Sequence, residues 1–472
     1  MQTQHFDAIV IGAGLGGLLC AAHLLERNKR VAILERLPHC GGRFTAKTFQ
    51  GAQISTGAVH MLPFGSSGVL AHTLRRLHIP HRICDADVFG SFHVHGTQVR
   101  ARGLLGVYNV FGPRQFFWFL RLGYQMFFRR LPAAQRALPF DTWLARHIDT
   151  ARNAELVAFF ASIARFALSL ELHQVRTDEV IRTTRHMLRF GAPGIVQGGC
   201  GALTGQLEQQ VRQRGAHLLL HTEVLQILHN AGQATGVRVR NKASGEQSML
   251  DAPLVVSDIG PRATGALLHN RQVTQAEVLT QHCAQLPEAL GLKVHLLSDI
   301  SLIPHKGIMY CLDTRRIAGI VQPTNADPRL APASKHLLIS HQVIQSTDLA
   351  EERALALADL HTLFGESFTR HCRVLTMSVY RGEWPVNRLV QGHDVPTTTP
   401  VQGLYLVGDA VKPAGYLMVE GVAQGVNQLL DVLDAQEGAQ STARSARRAP
   451  NTIEPPPRLY ALRWLWGAPG NS

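Results

Sequence analysis

Apolar and polar positions along the chain fall into blocks, and the period within a block changes several times. Ala8 to Ile11 is an apolar run without polar interruption, the mark of a short strand buried on both faces. The spacing that follows predicts a helix over Leu18 to Glu26, a second strand over Arg30 to Leu34 and a short hairpin over Thr45 to Ile54. From Pro113 the apolar positions take a helical period and confine Arg114, Arg121, Gln125 and Arg129 to one narrow polar stripe. Phe140 to His147 begins another amphipathic helix. The helical period then persists to about Leu188, with Phe159, Phe160, Ile163, Phe166 and Leu170 on one apolar face. Gly198 and Gly199 introduce a helix that ends at Gly215, followed by strands over His217 to Leu220, Val224 to His229 and Thr235 to Arg240. Leu254 to Pro261 reads as a strand with its exit turn, Leu290 to Leu297 and Gly307 to Leu312 as strands, and Leu349 to Phe364 as a helix. The last block is an apolar strand, Gly403 to Val411, and a helix that begins near Met418.

The join between the first strand and the first helix carries the most specific chemistry. Gly12, Gly14 and Gly17 stand there in GxGxxG spacing, with Leu15 and Gly16 inside it. Gly12 permits the tight turn, Gly14 lets a pyrophosphate approach the backbone, and Gly17 lets the helix pack closely on the sheet. The helix N-terminus offers free N–H groups and a partial positive charge, which bind an anion without a lysine. Glu35 ends the second strand where a carboxylate can accept both hydroxyls of an adenosine ribose, and Arg36 stands beside it. Glycines alone make a weak motif. Strand, glycines, helix, strand and acid in this order predict a dinucleotide site.

Composition narrows the rest. The 472 residues suffice for two domains or more, and an apolar fraction of 45% is that of a globular chain with an ample core. Seven cysteines, scattered and never in CxxC spacing, argue against a disulfide framework or a zinc site, so a reducing, cytoplasmic setting without a metal is expected. The first strand starts so near Met1 that no leader is expected, and no long uncharged apolar run predicts a spanning helix. A net charge of +13 implies an anionic partner or surface, and much of it is local. No acid occurs between Asp87 and Asp141, where Arg100, Arg102, Arg114, Arg121, Arg129, Arg130 and Arg136 interleave with aromatic residues. Residues 107–131 therefore predict a helix at an anionic membrane surface, with arginines on lipid phosphates and rings at headgroup depth. The alternative is a helix buried in a second domain. Nucleic acid is not expected, because the basic residues share a helix with a mostly apolar surface.

Gly41, Gly42 and Arg43 follow the acid after a short loop and resemble the GG doublet of a flavoprotein superfamily. That superfamily includes amine oxidases, protoporphyrinogen oxidase, phytoene desaturases, carotenoid isomerases and retinol saturase. The resemblance implies FAD, with Arg43 and the glycine backbone reaching its pyrophosphate. Gly57 and His60 match a segment that runs beneath the flavin, which makes His60 a candidate for the redox centre. Val224 matches the residue whose backbone meets the adenine. Gly408 and Asp409 resemble the last motif, in which the carboxylate binds a ribityl hydroxyl and the helix N-terminus, here Met418 and Val419, points at the flavin. Glu420 and Gly421 complete that likeness. Lys293 sits in a strand comparable to one that carries a lysine near the flavin in amine oxidases. Tyr380, Arg381, Trp384 and Pro385 resemble a stretch of the phytoene desaturase relatives, so Arg381 and Trp384 join His60 as candidate catalytic residues.

The implied architecture is α/β, a glutathione-reductase-type, Rossmann-like FAD-binding domain with an inserted α+β substrate domain. The first comprises residues 1–75, 197–270 and 402–436, and the second 76–196 and 271–401. Residues 437–472 read as a flexible linker and a short amphipathic tail. The expected function is hydride exchange between flavin N5 and a C–C bond of an apolar isoprenoid or polyene substrate. The alternatives are an amine or porphyrinogen oxidase and, in another class, a prenyl-lipid-binding protein of GDP-dissociation-inhibitor type that has lost the flavin.

Overall fold

The structure is a computed structural model that describes residues 3–101, 103–268 and 287–441. Its base is a five-stranded sheet in the order His217–Leu219, Val31–Leu34, Ala8–Ile11, Leu254–Ser257, Leu404–Leu406, with every pairing parallel. Stretches far apart in the chain thus share one sheet. Parallel strands need crossovers and are covered on both faces, which is why Ala8–Ile11 and Val31–Leu34 are unbroken apolar runs and wholly buried. Helix Leu15–Glu26 packs against Gly199–Gln213 and Met418–Ser441. It opens at Leu15, earlier than its apolar spacing predicts, because the glycine turn is completed by Gly12 at φ +97° and Gly14 already serves as the extended N-cap. A four-stranded sheet of Thr3–His5, Gln247–Asp251, Gln233–Asn241 and Thr222–Asn230 flanks this unit.

A second, seven-stranded sheet runs Cys372–Tyr380, Gly291–Ser298, His336–Val343, Ile317–Val321, Ile308–Cys311, Gly90–Val94, Thr97–Ala101. Its pairings are antiparallel except that between Ile308–Cys311 and Gly90–Val94. Helix Ala154–Ala167 covers one face, and Leu349–Phe364 packs its Ala356, Leu360 and Leu363 on the other. The apolar pattern had marked only two of these strands.

The basic aromatic segment is helical over Gly103–Phe128 but broken at Gly112, at φ 66° and ψ 178°. Pro113, which has no N–H to lose, restarts the helix there. Leu122 and Met126 dock one face on the body, whereas Phe117, Leu120, Tyr124 and Phe128 are exposed, as are Arg114, Arg121 and Arg129. Among the described residues no helix is long and apolar enough to cross a membrane. The final helix continues to Ser441, past the expected start of the linker, and the rest of that tail lies outside the described residues.

Candidate functional site

A cavity of ≈ 580 Å³ opens at the C-terminal ends of the parallel strands, where open α/β sheets bind ligands. Gly12, Gly14, Leu15, Gly16, Glu35, Arg36, Gly42, Arg43, Gly57, Val224, Gly408, Asp409, Met418 and Val419 all line it. Gly17 does not. A Cβ there would run into the Gly12 carbonyl, and its N–H donates to Asp258 Oδ2 at 3.0 Å, so it serves the turn from behind.

At one end, Glu35 is 7% exposed and accepts from Ala13 N and Leu37 N, both at 2.9 Å, through its two oxygens. Each oxygen keeps a lone pair free for a ribose hydroxyl. The carboxylate of Asp258 nestles where side chains on Gly14, Gly16 and Gly408 would otherwise stand. Desolvation, and then the charge of Asp409, push it up to about 7. Sequence reasoning missed Asp258, although an acid directly after the buried strand Leu254–Ser257 was a visible signal.

In the middle, Arg43 and Asp409 join three chain segments. Arg43 Nη1 donates to Pro385 O at 2.8 Å and Val386 O at 2.9 Å, and Nη2 donates to Asp409 Oδ1. The Arg388 N–H donates to Asp409 Oδ2 at 2.6 Å. Burial works against the charge of Asp409, but Arg43 and then Arg388 hold its carboxyl well below the usual range. The guanidinium that resemblance aimed at a pyrophosphate is thus turned to protein acceptors. Arg388 Nε is a buried donor without a hydrogen-bond partner. That donor, 3.7 Å from Asp409 Oδ1 and with no hydrogen bond made, the glycine cradle and the Glu35 carboxylate fit a dinucleotide.

The other end is lined by Val59, Met61, Val422 and Tyr380 beside Gly57 and Met418. His60 is fully buried and does not line the cavity. Its Nε2 pairs with Gln53 O at 2.8 Å and its Nδ1 with Cys200 N at 3.1 Å, which leaves the ring no face for a substrate. Desolvation pushes it down to about 4, so it is a neutral pin for its own loop. Lys293 is buried behind Tyr380, its Nζ 4.9 Å from the ring centroid, and desolvation lowers it to about 7. Glu420 is also fully buried. It accepts from Leu70 N at 2.8 Å and Phe64 N at 3.4 Å, capping the helix Val69–Arg76 instead of facing the cavity.

The two other residues expected at the redox centre lie elsewhere. Arg381 is exposed and outside the lining. Trp384 does line the cavity, but at its outer mouth, under the guanidinium of Arg36 at 5.6 Å. Arg36 also pairs with Glu383 at 3.0 Å, and since Arg36 follows Glu35, Trp384 belongs to the ribose end.

The chain is 29% identical over 427 residues to an uncharacterized protein of Methanocaldococcus jannaschii, a match that spans 90% of this chain and 99% of that protein. It is 25% identical over 292 residues to a neurosporene-forming phytoene desaturase of Rhodobacter capsulatus, covering 56% of this chain and 54% of the desaturase. The crystal structure of an oxidoreductase from Methanosarcina mazei superposes with a TM-score of 0.81 at 32% identity, covering 90% of this chain and 99% of that one. A putrescine oxidase bound to putrescine shares the fold, with a TM-score of 0.68 at 16% identity over 92% of this chain and 100% of the oxidase. The profile of flavin-containing amine oxidoreductases matches residues 15–427. Cavity, strand order and these matches agree: the chain belongs to the flavin-containing amine oxidoreductase family.

Proposed function

We propose that the protein is an FAD-dependent oxidoreductase acting on C–C or C=C bonds of an apolar isoprenoid or polyene, by desaturation, saturation or isomerisation. The observation that carries this reading is the division of the cavity. Its lining joins charged residues, among them Glu35, Arg43 and Asp409, to the apolar side chains of Val59, Met61 and Val422 and the ring of Tyr380. The partial likeness to a phytoene desaturase supports the substrate class. FAD, when bound, supplies hydride exchange at N5. The chain supplies position and dryness. Glu35 holds the ribose, the Gly14 and Gly16 backbone receives the pyrophosphate, Asp409 and the helix starting at Met418 orient the far end, and the apolar wall excludes water. The exposed Phe117, Leu120, Tyr124 and Phe128, beside Arg121 and Arg129, favour uptake of the substrate from an anionic membrane surface.

Anaerobic spectroscopy tests the reaction. Polyenes or isoprenoids delivered in liposomes are expected to change the flavin redox state, and amines to leave it unchanged; bleaching by an amine alone overturns the proposal. That outcome would favour a second reading, amine oxidation, for which Lys293 behind Tyr380 is the supporting feature. Flotation tests the surface. The protein should rise with anionic liposomes and be released by salt.

A further inference from the structure

Building on the FAD reading, we propose that residues 381–388 form a strap closed over the dinucleotide, and that its outer end is the gate by which FAD enters and leaves. The strap follows strand Cys372–Tyr380 and contributes Gly382, Glu383, Trp384, Asn387 and Arg388 to the cavity wall. Its two halves are held by unequal bonds. The inner half is tied down by Arg43, which donates to Pro385 O and Val386 O at 2.8 and 2.9 Å, and by the Arg388 N–H, 2.6 Å from Asp409. The side chains of Arg43 and Asp409 are only 17% and 14% exposed, so these charge-assisted bonds are shielded from water.

The outer half rests on Arg36, which pairs with Glu383 at 3.0 Å and stacks 5.6 Å over the Trp384 ring. That ion pair is 43% and 72% exposed, where water and salt leave little of its attraction. Gly382 lies between strand and gate at φ +64°, a conformation that glycine adopts without strain, with open space around it. Residues 382–384 therefore lift as a short loop between Tyr380 and Pro385, opening the bond from Trp384 N–H to Arg381 O at 3.2 Å, while the inner half stays in place. Since Arg36 follows Glu35, the adenosine end is the first to be uncovered.

The test is FAD release from the purified holoprotein into an excess of a scavenging apoflavoprotein, followed by flavin fluorescence. Trp384→Ala is expected to release FAD about tenfold faster and Glu383→Gln about threefold faster. Wild-type release quickens with ionic strength, and Glu383→Gln removes that dependence. Arg36→Lys, which keeps the charge but loses the flat stack, falls between wild type and Trp384→Ala without touching the strap's own sequence. Arg370→Gln, which breaks an exposed pair with Glu366 outside the cavity, leaves release unchanged. A coloured protein whose variants all release FAD at the wild-type rate overturns the strap alone. A protein that takes up no FAD overturns the reading on which the strap rests.

Discussion

The cavity has two unlike ends. Around the nucleotide end and the middle, acids are built into the wall: Asp409 stays ionised between Arg43 and Arg388, while Asp258 among the glycines is pushed up to about 7. Behind the inner end three buried bases lie close together, with the buried carboxyl of Glu420 turned away to cap a helix. Desolvation lowers His60 to about 4, Lys293 to about 7 and His295 to about 3, and at neutral pH the two histidines carry no charge. At neutral pH, then, Asp409 keeps its charge between two arginines, and the two histidines behind the other end keep none. One fold thus provides a polar cradle and a low-dielectric chamber within a single cavity.

Substitutions at the two ends separate these roles. Gly17→Ala should do the most damage, because its methyl meets the Gly12 carbonyl in a turn fixed by two strands. Its unfolding free energy should fall by more than about 4 kcal/mol in a urea titration; a loss below about 1 kcal/mol would mean that the turn is soft. Asp409→Ala leaves Arg43 and Arg388 without their shared acid and should cost about 3 kcal/mol, with FAD affinity falling as well.

The ends should also oppose each other as pH changes. His295, lowered in the fold, contributes stability that is complete above about pH 6.5 and is lost as pH falls toward about 3. Asp258, raised in the fold to about 7, contributes stability that is complete below its unfolded value near 4 and is lost as pH rises through about 7. His295→Gln should therefore flatten the acid-side loss by on the order of 3 kcal/mol, and Asp258→Asn should steepen it. Thermal melts between pH 4 and 8 decide this, and parallel curves for both variants would dissolve the contrast. Lys293→Met replaces a desolvated base by an apolar side chain; it should stabilise the protein near pH 7 and abolish the gain in stability that wild type shows as pH rises from about 7 to 10.

The nucleotide end was largely legible because backbone geometry there dictates residue type at fixed spacing. Gly12, Gly14, Glu35, Gly42, Gly408 and Asp409 all come to one cavity. The contrast with His60 is instructive. A histidine in a loop reads as chemistry, yet its ring is occupied by Gln53 and by Cys200, the latter 140 residues away, and no local pattern shows such contacts. Asp258 was legible only in part: its place directly after a buried strand is local, but its glycine partners lie more than 100 residues away on either side. The seven-stranded sheet was only partly visible because its buried strands carry polar residues that pair internally. Within His336–Val343, His341 meets Ser169 at 2.8 Å and Gln342 meets Glu352 at 3.1 Å, so positions that read as solvent-facing are core.

The order of the five parallel strands also governs how the molecule can be made. Ala8–Ile11 must wait for Leu254–Ser257 before its second edge is paired, and that strand waits in turn for Leu404–Leu406. At ribosomal speeds of about 5–20 residues per second, the nascent glycine turn stands beside an open sheet edge for roughly tens of seconds. Cells producing this enzyme therefore face a long aggregation-prone interval during translation, and chaperone supply during synthesis should govern the yield of folded protein.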